Sequence, residues 1–542
     1  MLARAGAAAA STHQEPSAVL PLYKDAAQPI SARVADLLGR MTLEEKVNQT
    51  LNDFADGAFG GGIPEDVKLQ EVIASEGMRY LFKFCTTDLP TCINTINHFQ
   101  TLARHKTRLG IPISFSEETL HGSLFAPQLP MPINLGSSWN LSLVEQGFKH
   151  TAAALTKVGG NIGLSPVVNM FPDPRFGRLQ EGFSEDPWLS GQMGIAAVRG
   201  LQGPQNDVDA YLNNPDGVSC VVKHYLGYGH AEQGGIDGGP ATLDEQTLRE
   251  RYLAPWKAIA DEGLLRGVMC SQSAVNHIPM HMHKRLITDV LRNELNFKNG
   301  FVHSDGGCVI SCNMGTYQLA STEGEAAALS LRAGVDMDFA GCSYSHLAEE
   351  VKAGRVNVSY LDRAVSNVLR VKFATGLFDR PANVTMRSPE ELDTPAFRQV
   401  VREAAEQSIV LLINKKQQRG GEHGQAALPL TFSGSGKIGS MLLAGPLIDD
   451  PGAQNGGYSH GGAPTTTIQA AAATVAKANG FRLTCMFGTS TGAGNVAAHN
   501  TSAIDATVAA AADVDVAVLV LGELSLHRAH HISIAIPHCA CD

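Results

Sequence analysis

The apolar positions of residues 31–50, SARVADLLGRMTLEEKVNQT, set the first pattern. Val34, Leu37, Leu38 and Met41 recur at helical spacing, and Thr42 with Glu45 forms a capping box that opens a second helix. From there to about residue 380, apolar runs of strand length alternate with helical patterns. The runs are IPISFSEE (111–118), NIGLSPVVNMF (161–171), VSCVVKHYLG (218–227), LRGVMCSQ (265–272), GFVHSD (300–305) and AGVDMDF (333–339). Several stop at a polar or charged residue: Glu118, Lys223–His224, Gln272, Asp305 and Asp336. This predicts an α/β fold, a (β/α)8 TIM-like barrel over residues 31–380, because such barrels collect their chemistry at the carboxyl ends of the strands. A doubly wound sheet is the rival, and the number of strand-to-polar switches favours the barrel.

The helical stretch 347–379 closes this unit, and RPANVTMRSPEELDTP, ending at residue 395, has the Pro, Asn and Ser content of a linker. An αβα sandwich is expected over 396–542. It starts with the helix FRQVVREAAEQS and the strand IVLLIN (409–414). A polar loop, the strand SMLLAGP (440–446), the Gly-rich turn NGGYSHGGAP and the strand VDVAVLVLGE (514–523) follow. A sheet that halts one short segment after a strand reads as incomplete at its C-terminus. Residues 1–30 read as a disordered tail or a marginal signal, with no Leu-rich stretch after the single early Arg.

A chain of 542 residues exceeds what one core supports, in keeping with two units. A net charge of -11 leaves no basic stripe for phosphates, so a nucleic-acid partner is not expected. No apolar run is long enough to cross a membrane. The ten cysteines form no CxxC pair and no Cys/His array of zinc spacing, so neither metal nor cofactor is expected. Cys85 and Cys92 frame a short polar loop that a disulfide would close in an oxidising compartment, and two free thiols are the alternative. The clusters GGEHG and TGAGN lack the lysine of a phosphate-cradling loop. Asn140, Asn357, Asn383 and Asn500 head glycosylation sequons, relevant if the chain is secreted.

Asp305 is the first candidate for chemistry. A β-rich run ending in Ser-Asp before two glycines presents a carboxylate at a strand tip, where it can attack an electrophilic carbon and later leave. Capping of the next helix is the plainer role. Lys223 and His224 follow a buried-looking strand, where basic groups would hold sugar hydroxyls and lower a neighbouring carboxylate's pKa, or serve as a surface Lys and a core His. Arg175 and Arg178 lie in FPDPRFGRLQEGFSEDPW, where Asp173, Glu181, Glu185 and Asp186 can fix guanidinium groups. Glu118 ends a strand ahead of Leu-His-Gly and can accept two hydroxyl hydrogen bonds.

Taken together, RVADLLGRMTLEEKVNQ, ETLHG, PDPRFGR, EGFSEDP, KHYLGYG, LRERYLAPW, GFVHSD, AGVDMDF and GRVNVSYLDRAVSNVLRVKFATGLFD stand in the order found in glycoside hydrolase family 3, which the chain resembles over about residues 30–525. The resemblance implies a barrel followed by an αβα sandwich, and retaining exo-hydrolysis of β-linked sugars from the non-reducing end of an oligosaccharide or an aryl or alkyl glycoside. It makes Asp305 the nucleophile and Lys223, His224, Arg178 and Glu118 binding residues for the terminal sugar. Glu118 stands where family glucosidases usually have Asp and plant-type xylosidases Glu, which favours a pentose and β-D-xylosidase activity. Secretion is also implied. Retaining chemistry needs a second carboxyl, as acid/base, about 5–5.5 Å from the first. In relatives it comes from a loop after a strand like VAVLVLGE. Here LSLHRAHHISIAIP has no Glu, so the acid/base is unassigned, with Glu523 the nearby candidate. Gln272 replaces a Tyr beside the nucleophile, and Gly306 replaces a stacking Trp. These departures keep open a sugar-binding pseudoenzyme that lacks the proton donor. A β-N-acetylglucosaminidase of the same superfamily is a third reading, though KHYLGYGHAEQGG lacks its Asp-x-His dyad.

Overall fold

The computed structural model describes residues 20–54, 80–82, 88–204, 210–212, 214, 216–230, 239–340, 343–381, 383–385, 388–415, 418–419, 422–423, 426–459, 465–487 and 503–522. The two helices expected near the N-terminus form as α1 (Ile30–Arg40) and α2 (Leu43–Asn48). The α2 capping box closes reciprocally: the Glu45 N–H donates to Thr42 Oγ1 at 3.2 Å, and the Thr42 N–H to Glu45 Oε2 at 2.8 Å.

Eight parallel strands then build one curled sheet: β1 (Leu51–Phe54), β2 (Tyr80–Phe82), β3 (Ser114–Glu117), β4 (Ile162–Gly163), β5 (Ser219–Tyr225), β6 (Gly267–Cys270), β7 (Phe301–His303) and β8 (Asp338–Phe339). Neighbours in space are neighbours in sequence, except that β8 pairs with β1. A parallel bridge between His303 and Met337 links β7 to the residue just before β8. Strands covered on both faces need apolar side chains on both, and alternate residues divide accordingly. Val221 joins Ile162, Met269, Phe301 and Phe339 in one buried cluster, whereas Val222 joins the larger cluster shared with the helices.

Two sequence expectations need correction. Asp336 was read as ending a strand, but β8 starts only at Asp338. Its carboxylate instead pins the framework, accepting from Arg292, Asn367 Nδ2 at 3.1 Å and the Val302 N–H at 2.9 Å. A buried acid encircled by donors serves packing, not the strand tip. The second correction concerns 409–414, which forms no strand: Ile409, Val410, Leu411, Leu412 and Ile413 are 60–86% exposed. Apolar runs need a partner edge and two covering layers to become buried strands. The parallel three-stranded sheet following them is made of β9 (Ser440–Ala444), β10 (Arg482–Met486) and β11 (Val516–Leu519), with β9 in the middle, and residues 409–414 pair with none of the three. Asn414 ties the segment's end to Leu428 through two hydrogen bonds.

Cys92 is disulfide-bonded, while Cys85 lies outside the described residues. No described helix is long and apolar enough to cross a membrane. Among the described residues no His, Cys, Asp or Glu cluster could hold a metal ion.

Candidate active site

Lys223 and His224 are consecutive, so in a regular strand they would face opposite sides of the sheet. Between the pairs Val222–Val268 and Tyr225–Cys270 the register of β5 slips, with one more residue on β5 than on β6. Such a bulge re-aims side chains, and both residues turn to the same mouth. Lys223 Nζ donates to Glu118 Oε1 at 2.9 Å and Oε2 at 2.7 Å. Glu118 follows β3, so this buried pair spans the carboxyl ends of two strands. Removing either partner would strand a charge away from water.

Asp305 follows β7 by two residues, with 13% of its side chain exposed. Donors converge on its carboxylate: Gln272 Nε2 reaches Oδ2 at 3.1 Å, and the Gly306 N–H reaches Oδ1 at 2.7 Å. His224 Nε2 stands 3.8 Å from Oδ2. The Asp305 N–H donates to His281 Nε2 at 3.2 Å, which the sequence did not foreshadow. Among the described residues, a Cβ at Gly306 would rest in ordinary contact on the Phe339 ring, at 3.7 Å.

Arg178 is clamped by Glu181, its Nε and Nη2 donating at 2.7 and 2.8 Å, the bidentate geometry expected for the loop. Its Nη1 donates to the Tyr228 hydroxyl at 2.6 Å. Asp186 takes no part and caps the helix Pro187–Gln202. The Arg175 side chain and Glu523 lie outside the described residues.

Besides His281, two contributors escaped the sequence reading. Asn169, from the run SPVVNMF, accepts the His224 N–H on Oδ1 at 2.7 Å and sets Nδ2 3.2 Å from His224 Nδ1. Tyr458, from the turn NGGYSHGGAP of the second unit, accepts from Arg178 Nη2 at 3.0 Å, and its ring lies 4.9 Å from Lys223 Nζ. Beside it, the Gly457 carbonyl lies 2.8 Å from His121 Nε2. The lone aromatic in that Gly-rich turn was the available signal.

Burial pushes the Asp305 carboxyl upward, but the neighbouring His224, then Arg178, the Gly306 N–H and Lys223, outweigh it and hold the group below the usual carboxylate range. Burial, reinforced by Arg178, brings His224 down to about 3 against the pull of Asp305. Asp305 is therefore an ionised carboxylate facing a neutral imidazole at neutral pH. The Tyr458 hydroxyl is pushed far up by burial and nearby carboxylates. A carboxylate just past the end of β7, ringed by donors, has the surroundings that an attacking carboxylate needs.

The model for the glycosyl hydrolase family 3 N-terminal domain matches residues 42–371. The chain belongs to glycosyl hydrolase family 3. Within the family, it is 31% identical to a periplasmic β-glucosidase of Salmonella typhimurium, over 81% of this chain and 53% of that one. It is 29% identical to β-D-xylosidase 3 of Arabidopsis thaliana, over 94% and 59% respectively. The structure of a β-glucosidase from Erythrobacter marinus superposes with a TM-score of 0.83 at 28% identity, covering 93% of this chain and 67% of that one. A Listeria innocua β-glucosidase solved with glucose gives 0.76 at 28% identity, covering 92% and 64%. The chain spans about half the length of the curated relatives it matches.

Proposed function

We propose that the protein is an exo-acting retaining β-glycosidase in which Asp305 attacks the anomeric carbon of a terminal sugar. The observation that carries this reading is the ionised Asp305 carboxylate, held by Gln272 and Gly306 and 3.8 Å from His224 Nε2. An ionised oxygen is the attacking form, and its low proton affinity suits it to leave when water arrives. Glu118, Lys223, His224 and Arg178 would bind the sugar hydroxyls. Attack forms a bond from Asp305 Oδ to the anomeric carbon as the bond to the leaving oxygen breaks. That oxygen needs a proton from an acid that stays unassigned, with Glu523 the candidate from the sequence, since Glu118 and Glu181 are each committed to a cation.

Glu118 rather than Asp favours a pentose, because the longer side chain takes room that a hydroxymethyl group needs. One methylene is worth about 1–3 kcal/mol. On this basis the preferred substrate is a β-D-xyloside, as in xylan-derived oligosaccharides, ahead of a β-glucoside. The name of the Salmonella relative and the disulfide at Cys92 support a secreted or periplasmic setting. The barrel-plus-sandwich division at 381–395 belongs to the same reading.

Activated aryl β-xyloside and β-glucoside test it, since aryl leaving groups need little protonation. Turnover of both with a higher kcat/KM for the xyloside is expected, along with covalent labelling of Asp305 by a 2-fluoro glycoside. Binding of sugar without turnover or labelling would establish the pseudoenzyme, which the missing Glu in LSLHRAHHISIAIP favours.

A further inference from the structure

We infer that Asn169 is a positioning residue that fixes the tautomer of His224, so that the proton on the imidazole faces Asp305. The inference rests on the glycosidase reading for its consequence, though not for its geometry. A backbone N–H can only donate, so the atom of Asn169 lying 2.7 Å from the His224 nitrogen must be the amide oxygen. The other end is then the NH2 group, and it lies 3.2 Å from His224 Nδ1. Two N–H groups cannot face each other across that distance, so Nδ1 presents its lone pair. The ring proton sits on Nε2. One amide thus assigns its own orientation through the backbone and the ring's tautomer through the side chain. The same contact excludes the doubly protonated ring, in agreement with the depressed proton affinity of His224.

The consequence lies in the 3.8 Å between His224 Nε2 and Asp305 Oδ2. That separation is too long for a direct hydrogen bond, so the Nε2–H is available to a sugar hydroxyl oxygen seated against the nucleophile. Gln272 and Gly306 also point N–H groups at Asp305, so Asn169 makes His224 one more donor in a uniform ring. With the opposite tautomer, a nitrogen lone pair would face the carboxylate, and the hydroxyl would lose its donor. Asn169 precedes the PDPRFGR loop and is 96% buried, and it does not touch Asp305 in any described contact.

The test replaces the amide by its isostere. Besides Asn169, the groups facing the ring are Asp305, Arg178, Lys223 and Glu181, with the Tyr228 ring 4.9 Å away. In Asn169→Asp, one carboxylate oxygen still accepts the His224 backbone N–H, but the other now accepts from Nδ1–H and draws the proton off Nε2. The expected result is a kcat/KM on an aryl glycoside about 10- to 100-fold below wild type at pH 8, the worth of one misdirected hydrogen bond. The loss should shrink as the pH falls and the imidazole takes a second proton. Asn169→Ala should lose activity without that acid recovery. A long-range 15N–1H spectrum of the wild-type protein, with the His224 signals assigned against His224→Gln, should show a bare Nδ1 and a protonated Nε2. A protonated Nδ1, or an Asn169→Asp variant within threefold of wild type with an unchanged pH profile, overturns the inference. The spectrum needs no turnover, so it decides the matter even if the wild-type chain cleaves no glycoside.

Discussion

As the proposed nucleophile, Asp305 would act only while ionised, and its surroundings bear on that condition directly. Asp305→Asn keeps the shape and removes the charge, so kcat/KM on an aryl glycoside should drop by about 10³-fold or more, with the fold retained by circular dichroism. Because the folded group lies below its ordinary value, the acid limb of kcat/KM should fall below the ~3.9 of a free Asp. Arg178→Met removes a fixed cation and should move that limb to higher pH, which a pH series measures. In stability terms, the depressed carboxyl contributes above its unfolded pKa, and the contribution is lost as the pH falls through the folded one. Asp305, Lys223, His224, Glu118 and Arg178 were legible because each ends a strand or sits in a charged turn within an ordered series of motifs. Asn169 was not, because inside SPVVNMF it looks like a polar residue within a strand. Its role depends on β4 and β5 lying side by side. Tyr458 was hidden for a related reason: it is 280 residues from Arg178, and no local pattern encodes such a contact.

At the scale of elements, helical periodicity and the capping box located α1 and α2, and apolar runs ending at polar residues located β3 through β7. Pairing details were not encoded locally. The slip in β5 that brings Lys223 and His224 to one side arises from its fit to β6, and the apolar run at 409–413 lacks the neighbours that would make it a strand. Element ends also depend on distant partners. Arg33 on α1 is fully buried and donates from Nη1 and Nη2 to Asp379 at 2.8 and 2.7 Å, closing the start of the first unit on its last turn. Asp379→Ala leaves that guanidinium buried without its counter-charge and should cost about 3 kcal/mol, read from urea denaturation. Replacing both residues with apolar ones of similar volume should cost less than the single change.

Across the whole molecule, buried histidines among the described residues, His121, His224, His283 and His303, give the folded state a shared sensitivity to acid. Burial lowers His224 to about 3 and His283 and His303 to about 4, whereas each titrates near 6.5 when unfolded. The unfolded chain therefore binds more protons between those values. Stability is intact above pH 6.5 and declines as the pH falls toward 3 to 4. Melting temperature should drop across that interval, and His303→Gln should flatten the decline. The turn after β9 also reaches the candidate site, where Tyr458 leans on Arg178 and Lys223 and Gly457 lies against His121. A tyrosine delivered from so far along the chain ties the placing of its turn to the shape of the candidate site. On the proposed glycosidase reading, insertions or deletions between residues 380 and 395 would be filtered by catalysis as well as by folding.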